Sequence, residues 1–321
     1  MKRLVVAIAL ASMSFAGGAA AQNYPTRAIT LVNPYAAGGP ADLLARTVAE
    51  GMAASLGQPV VVENKVGAGT VIAGAFVARA EPDGYTLLIA GSPTHVIAPA
   101  ITKDAKFDGI KDFVFIATVG NVPNVLVVPK DRPYQTVKEL IAAAKAANGA
   151  MNFASVGQGS LPQLLGLKLQ QVGDLKLIHV PYGGAAPAST DILAGRIDLG
   201  FLNLPPLLPH IQAGTVRALA IANEVRSDAL PNLPTMTELG YPDFEISTWY
   251  GISAPAGTPR AIVDKLNAAI DQALKTPGAK EKLVKAGAEM FYKGPDAYAA
   301  YVQSDAKRML QLIDAAGMRA N

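Results

Sequence analysis

Asn33-Pro34-Tyr35-Ala36-Ala37-Gly38-Gly39-Pro40-Ala41-Asp42 and Pro181-Tyr182-Gly183-Gly184-Ala185-Ala186-Pro187-Ala188-Ser189-Thr190 are the stretches that decide the fold. Each follows a β-branched, apolar run and opens an amphipathic helical pattern. Each therefore reads as strand, tight loop and helix start. Such a junction leaves backbone N–H groups unpaired and turns the positive end of a helix toward one spot. One junction is a weak anion site. Two, well separated in the chain, suggest two lobes gripping one anionic ligand. Alone, the first loop also reads as an ordinary turn that needs glycine dihedrals, and Asp42 as a residue that complements the helix dipole without touching a ligand.

Outward from these loops, strands alternate with helices. Arg27–Val32, Pro59–Glu63 and Tyr85–Ala90 read as strands, with helices over Gly39–Ser55 and Thr70–Ala80 between them. The pattern recurs with strands at Asn124–Val128, Met151–Ala154, Leu177–Val180 and Ile197–Leu202. Its helices run over Thr136–Ala147, which opens with a Thr-x-x-Glu capping box, up to Gln171, and up to Ala194. Val216–Ala222 leads back out. Trp249–Ala254 reads as a strand rejoining the first sheet, followed by helices over Pro259–Lys275, Gly278–Ala286 and Pro295–Ala316. The expected fold is α/β with two lobes, each a mixed, mostly parallel sheet flanked by helices. Residues 22–124 plus 226–321 form lobe 1 and residues 125–225 lobe 2. Two crossings between lobes favour hinge closure.

The chain has 321 residues, half of them hydrophobic, and a formal net charge of +3. That suits two domains with proper cores and gives no support to nucleic-acid or membrane-surface binding. Residues 1–21 read as a cleaved secretory signal, with Lys2 and Arg3 before an apolar stretch and Ala19-Ala20-Ala21 at the cut. There is no cysteine, which excludes disulfides, thiolate metal sites, cysteine nucleophiles and lipid attachment through cysteine. A protein exported to a bacterial periplasm, not lipid-anchored, is expected.

Enzyme signatures are missing. His95, His179 and His210 lack metal-ligand spacing, and no metal or other cofactor is expected. His179 reads as a packed, satisfied histidine. His95, following Ser92 and Thr94 past a strand end, reads equally as ligand lining or as helix-start structure. Gly157-Gln158-Gly159-Ser160 is not a nucleophile elbow; Ser160 reads as a helix cap with exposed amides around it. Gly67-Ala68-Gly69 misses the dinucleotide fingerprint and reads as a tight turn.

Read together, these residues resemble the tripartite tricarboxylate transporter receptor family, also called the Bug family. The resemblance begins with Asn33–Asp42 and Gly57-Gln58-Pro59-Val60-Val61-Val62-Glu63-Asn64. It continues through Gly67-Ala68-Gly69, Pro82–Leu87, Thr94-His95, His179–Gly184, Asp191–Asp198, Pro231–Thr235 and Ala254–Pro259. It implies a two-lobed periplasmic-binding-protein fold of type II, and a solute-binding protein that delivers a small organic carboxylate to integral membrane permease subunits. It also implies that the two loops close as a pincer on one carboxylate. Carried onto this sequence, Tyr35, Ala36, Gly38, Gly39, Pro40 and Ala41 grip from one lobe, and Tyr182, Gly183, Gly184, Ala185 and Ala188 from the other. Ser155, Gly157, Gly159 and Ser160 add contacts from lobe 2, and Ser92 and Thr94 from lobe 1. Asn203, Leu204, Trp249 and Tyr250 are candidates for the far end of the ligand, although a lone Trp also serves as core filler. Gln163 stands where the family often carries His. No Arg or Lys lies in either loop, so neutral donors would hold the carboxylate. A monomer is expected. Two other readings remain: a periplasmic sensor subunit signalling to a membrane kinase through the same pocket, and an exported hydrolase or transferase, which the absent nucleophile–base pattern disfavours.

Overall fold

The computed structural model describes residues 23–320, apart from Asp104, Ala286 and Gly287; the expected signal at 1–21 lies outside these. Two sheets organise the chain. The first has strand order β11-β4-β10-β3-β1-β2 and the second β7-β6-β8-β5-β9.

In the first sheet, β1 (Ile29–Asn33), β2 (Val60–Asn64) and β3 (Thr86–Ala90) are parallel. Their crossovers are α1 (Pro40–Leu56) and α2 (Val71–Ala78). β10 (Thr248–Pro255) lies antiparallel between β3 and β4 (Phe113–Val122), and the short β11 (Glu289–Met290) closes the edge. The sheet is covered on one face by α1 and α8 (Arg260–Leu274), which bury Leu44, Val48, Met52, Leu266 and Ile270. Gly51 permits this pairing, because a Cβ there would stand 2.4 Å from the Ala273 Cβ. The other face is buried by α2, which supplies Ala73 and Val77, and by Tyr298 and Val302 of the last helix.

β4 is ten residues of FVFIATVGNV, apolar on both faces because both are covered. It was not among the expected strands. It runs through Pro123 straight into β5 (Asn124–Pro129), so one nearly continuous extended segment carries the chain from the first sheet to the second. There β6 (Asn152–Ser155), β7 (Ile178–Pro181) and β8 (Leu199–Asn203) are parallel, joined by α5 (Leu161–Gly173) and α6 (Ala185–Leu193). β5 alone runs against that set, pairing antiparallel with β8 on one side and with β9 (Val216–Ala222) on the other. α4 (Val137–Ala146) opens with the expected capping box, Thr136 accepting from the Glu139 N–H and Glu139 accepting from the Thr136 N–H.

α7 (Leu204–Gln212) was not expected, since it contains Pro205, Pro206 and Pro209. Two of these sit in the first turn, where an N–H has no intrahelical partner to lose. The short helical stretch from Pro93 to Ile101, of which Ala98–Ile101 is α3, follows β3; the sequence offered it only as the helix-start reading of His95. α9 (Pro277–Lys285) leads to β11.

The last helix, α10 (Pro295–Ala315), belongs to both lobes. Tyr298 and Val302 are buried with the first sheet, while Ala306, Met309 and Ile313 are buried with Phe153, Leu165 and Phe201 of the second. Residues 226–247, read from the sequence as lobe 1, also pack on the second sheet. Met236, Phe244 and Ile246 lie in its core, and Thr235 bridges to Ile221.

Candidate functional site

Both glycine-rich loops leave the carboxyl ends of parallel strands, where open α/β sheets form their ligand crevices. The first joins β1 to α1 and is held from within the lobe. Asp42, 4 % exposed, accepts from the Gly38 N–H at 3.0 Å, from Arg46 Nε at 2.9 Å and from Asn64 Nδ2 at 3.0 Å. Asn64 Nδ2 also donates to the Tyr35 carbonyl at 2.9 Å. The hydrogen bond from Arg46 leads in lowering the Asp42 pKa to about 2, with the Gly38 N–H adding to it against desolvation. Asp42 thus locks the loop, its carboxylate engaged by Gly38, Arg46 and Asn64. Helix α1 begins at Pro40 after Gly39, with no side-chain cap. Among the described residues, no protein group accepts from the N–H groups of Ala41 or Asp42.

The second loop joins β7 to α6. Gly184 precedes the helix without a cap, and the N–H groups of Gly183, Gly184, Ala185 and Ala186 likewise have no protein acceptor among the described residues. A third helix start lies beside it. Ser160 caps α5, accepting from the Gln163 N–H at 3.4 Å and donating to the Gly157 carbonyl at 2.7 Å. Gln163 Oε1 accepts from the Gly159 N–H at 2.7 Å, and its Nε2 donates to Gln158 Oε1 at 2.9 Å. This end is therefore largely satisfied by the protein itself.

These pieces converge on one cleft of about 470 Å³ between the lobes. Tyr35, Ala36, Gly39, Pro40 and Ala41 line it from the first lobe, and Gly159, Ser160, Ala185 and Asn203 from the second. A neighbouring cavity of about 610 Å³ shares Gly39, Pro40, Ala185 and Asn203 and adds Gly38, Asp42, Arg46 and Ala186. The starts of α1 and α6 thus form a waist with a cavity on either side. No residue lining the 470 Å³ cleft carries a charge.

Other sequence-predicted residues sit elsewhere. Ser92, 1 % exposed, donates to the Asp305 carboxylate, and Trp249 Nε1 donates to the same oxygen at 3.1 Å. The Trp249 ring, also 1 % exposed, is enclosed by Tyr298, Tyr301 and His95. It is core, facing no cleft. Thr94 is fully buried, its hydroxyl turned toward the Tyr35 phenol without a well-formed hydrogen bond. Ser155 is fully buried and pairs with His179 Nε2 at 2.7 Å; that imidazole stacks on Phe153. Gly157 turns its carbonyl to Ser155 and Ser160. The Tyr182 hydroxyl donates to Asp191 at 2.7 Å, and Ala188 is buried in the second lobe. Gly183 and Gly184 line neither cavity but directly precede Ala185, with open space where a side chain would stand. His95 takes the structural role of its two readings: 2 % exposed, it pairs through Nδ1 with the Gly109 carbonyl at 2.7 Å and lies among Phe113, Phe115 and Trp249.

Tyr250, one of the candidates for the far end of the ligand, lines the cleft as an aromatic wall. The cleft also contains residues not selected from the sequence: Val66, Pro93, Val156, Leu161 and Pro162 provide apolar wall, and Gln158, Thr248 and Thr70 polar atoms. Gly67 and Gly69, read only as a turn, line it as well.

A fold of this kind, two α/β lobes around a cleft, defines a solute-binding protein of the periplasmic type. The chain belongs to the tripartite tricarboxylate transporter receptor family, whose model matches residues 44–318. It is similar to the periplasmic binding protein BugD, at 36 % identity and TM-score 0.78 over 93 % of this chain and 100 % of that one. It is similar to malate-bound MatC from Rhodopseudomonas palustris, at 33 % identity and TM-score 0.77 over 90 % and 100 %. A third likeness is to adipate-bound Rpa4515 from R. palustris, at 32 % identity and TM-score 0.80 over 92 % and 98 %.

Proposed function

We propose that this protein is an exported periplasmic receptor, not an enzyme, that closes its two lobes on a small organic carboxylate and delivers it to the permease of a tripartite tricarboxylate-type transporter. The observation that carries the reading is the waist of the cleft. The uncapped starts of α1 and α6 meet there at Gly39, Pro40 and Ala185, beside N–H groups without protein acceptors. A carboxylate at that point accepts from both helix ends and gains from both dipoles. Because the two ends belong to different lobes, the ligand makes its full set of contacts only when the lobes are together, which is the differential affinity that closure requires. MatC with malate and Rpa4515 with adipate support a carboxylate as the ligand. Delivery to a permease is supported by the family's character as transporter receptors.

The test is thermal denaturation of residues 22–321 against a panel of aliphatic and aromatic carboxylates paired with their primary amides. The expected result is stabilisation by one class of carboxylate, by about 2.7 kcal/mol at a hundredfold excess over Kd, with the matching amides inert. Stabilisation by the amides alone overturns the anion reading.

A further inference from the structure

Lys168, in α5, is the one buried basic residue among those described, 9 % exposed. A buried ammonium ordinarily keeps a carboxylate close, because its desolvation is costly without one. Lys168 keeps the loosest of them. Asp243 Oδ2 stands 3.7 Å from Nζ, the longest ion pair among the described residues, and the Asp243 side chain is 75 % exposed. Lys275 and Lys282, both on the surface, meet their partners at 2.6 Å. The face of the Phe244 ring, 5.5 Å away, is the other favourable neighbour of Lys168. Its Nζ makes no hydrogen bond among the described residues, yet it is not sealed off: it keeps open surface toward a groove of about 360 Å³.

This groove lies where α5, α10 and the 226–247 segment meet, and it shares no lining residue with the interlobe cleft. From α10 it receives two more cations, Lys307 and Arg308. Lys307 is exposed and forms no ion pair among the described residues, while Arg308 gives one nitrogen, Nη2, to Asp305 at 3.2 Å. Ser304 and Gln311 bring neutral donors from the same helix. Against three cations the wall sets one carboxylate, Asp243. The wall of the interlobe cleft, by comparison, carries no charge at all. An oxyanion in the groove meets charged donors from two helices and gives the Lys168 ammonium a close partner. A neutral ligand leaves that ammonium as it stands.

We propose that the groove between α5 and α10 is a second anion site, separate from the cargo cleft, for a small multivalent oxyanion of the phosphate or sulfate type. Lys168 anchors it from α5, and Lys307 and Arg308 hold it from α10. The first turn of α5 lines the cleft and α10 packs in both cores, so the bound ion ties the helix that borders the cargo to the helix that joins the lobes. The site stands independently of what the cleft carries.

Calorimetric titration of residues 22–321 with inorganic phosphate, against sodium chloride at equal ionic strength, tests it. Phosphate binds the wild type at one site and chloride does not. Lys168→Met keeps the packing of the stem and removes the charge; it weakens phosphate about tenfold or more. Lys307→Gln, at an exposed position, weakens it about threefold and carries the test if the methionine variant does not fold. Gly184→Asp, which alters the start of α6 and not the groove, leaves phosphate binding unchanged. Phosphate binding that survives both lysine variants, or that is lost in Gly184→Asp, places the ion elsewhere and overturns the proposal. An equal response to chloride reduces the groove to diffuse surface charge and overturns it as well, as does no binding of phosphate. A glutamate-rich peptide that binds through Lys168 where phosphate does not gives the groove to a protein partner and overturns the small-ion assignment.

Discussion

His95 shows how little a residue's type says about its use. From the sequence it stood open between ligand and scaffold; its surroundings make it scaffold. Burial lowers its pKa to about 4, so the folded protein holds it neutral while the unfolded chain protonates it near pH 6.5. With the folded pKa depressed, the unfolded state binds more protons between about pH 6.5 and 4, and stability falls as pH drops through that window. Urea midpoints measured at pH 7 and pH 5 should therefore decline in the wild type and decline less in His95→Gln. A smaller slope remains from His179, which burial also shifts downward. An identical decline in both proteins would assign the effect to other groups. At Thr70 the sequence neighbours read as the smooth start of a helix, and the positive φ appears only with the turn of Gly67, Ala68 and Gly69 before it.

At the scale of elements, the alternation of strand and helix was legible because the parallel units obey their periodicities, and both signature loops lie where those periodicities placed them. The elements that escaped reading share one physical cause, the override of local signals by context. In β4, burial on both faces removes alternation; in α7, two of the three prolines that argue against a helix occupy its first turn, which tolerates them. The candidate site was half legible for a similar reason. Glycine loops announce helix starts, but nothing local tells that Ser92, Ser155 and Trp249 turn inward, or that Val66 and Pro93 come to the cleft. The helix starts themselves invite a direct test. Gly184→Asp stands in open space on extended backbone, and so does not disturb packing. Aspartate is a good N-cap, so its carboxylate takes the α6 amides for itself. The variant should melt at or slightly above the wild-type temperature, by a few tenths of a kcal/mol, while losing at least tenfold in affinity for any carboxylate that stabilises the wild type. Unchanged affinity in the folded variant would remove α6 from the site.

Across the whole molecule, α10 ties the lobes together. One face of it completes the first core and its next turns complete the second, with Asp305 between them accepting from Ser92 and Trp249 and paired with Arg308 at 3.2 Å. Lobes joined this way, and by the through-running β4–β5 segment, should unfold as one unit. Met309→Ala empties a fully buried site on the second-lobe side and should cost about 3 kcal/mol, seen as a shift of a single calorimetric transition. A second transition appearing only in the variant would show that the lobes are independent. Trp249 adds a practical consequence. It is the one tryptophan of the chain, and its indole is shut inside the first lobe with its N–H fixed to the helix that joins both. Its fluorescence therefore reports on whether the two halves are attached, emitting as a dry indole while they are, and stays dark to the arrival of cargo in the cleft.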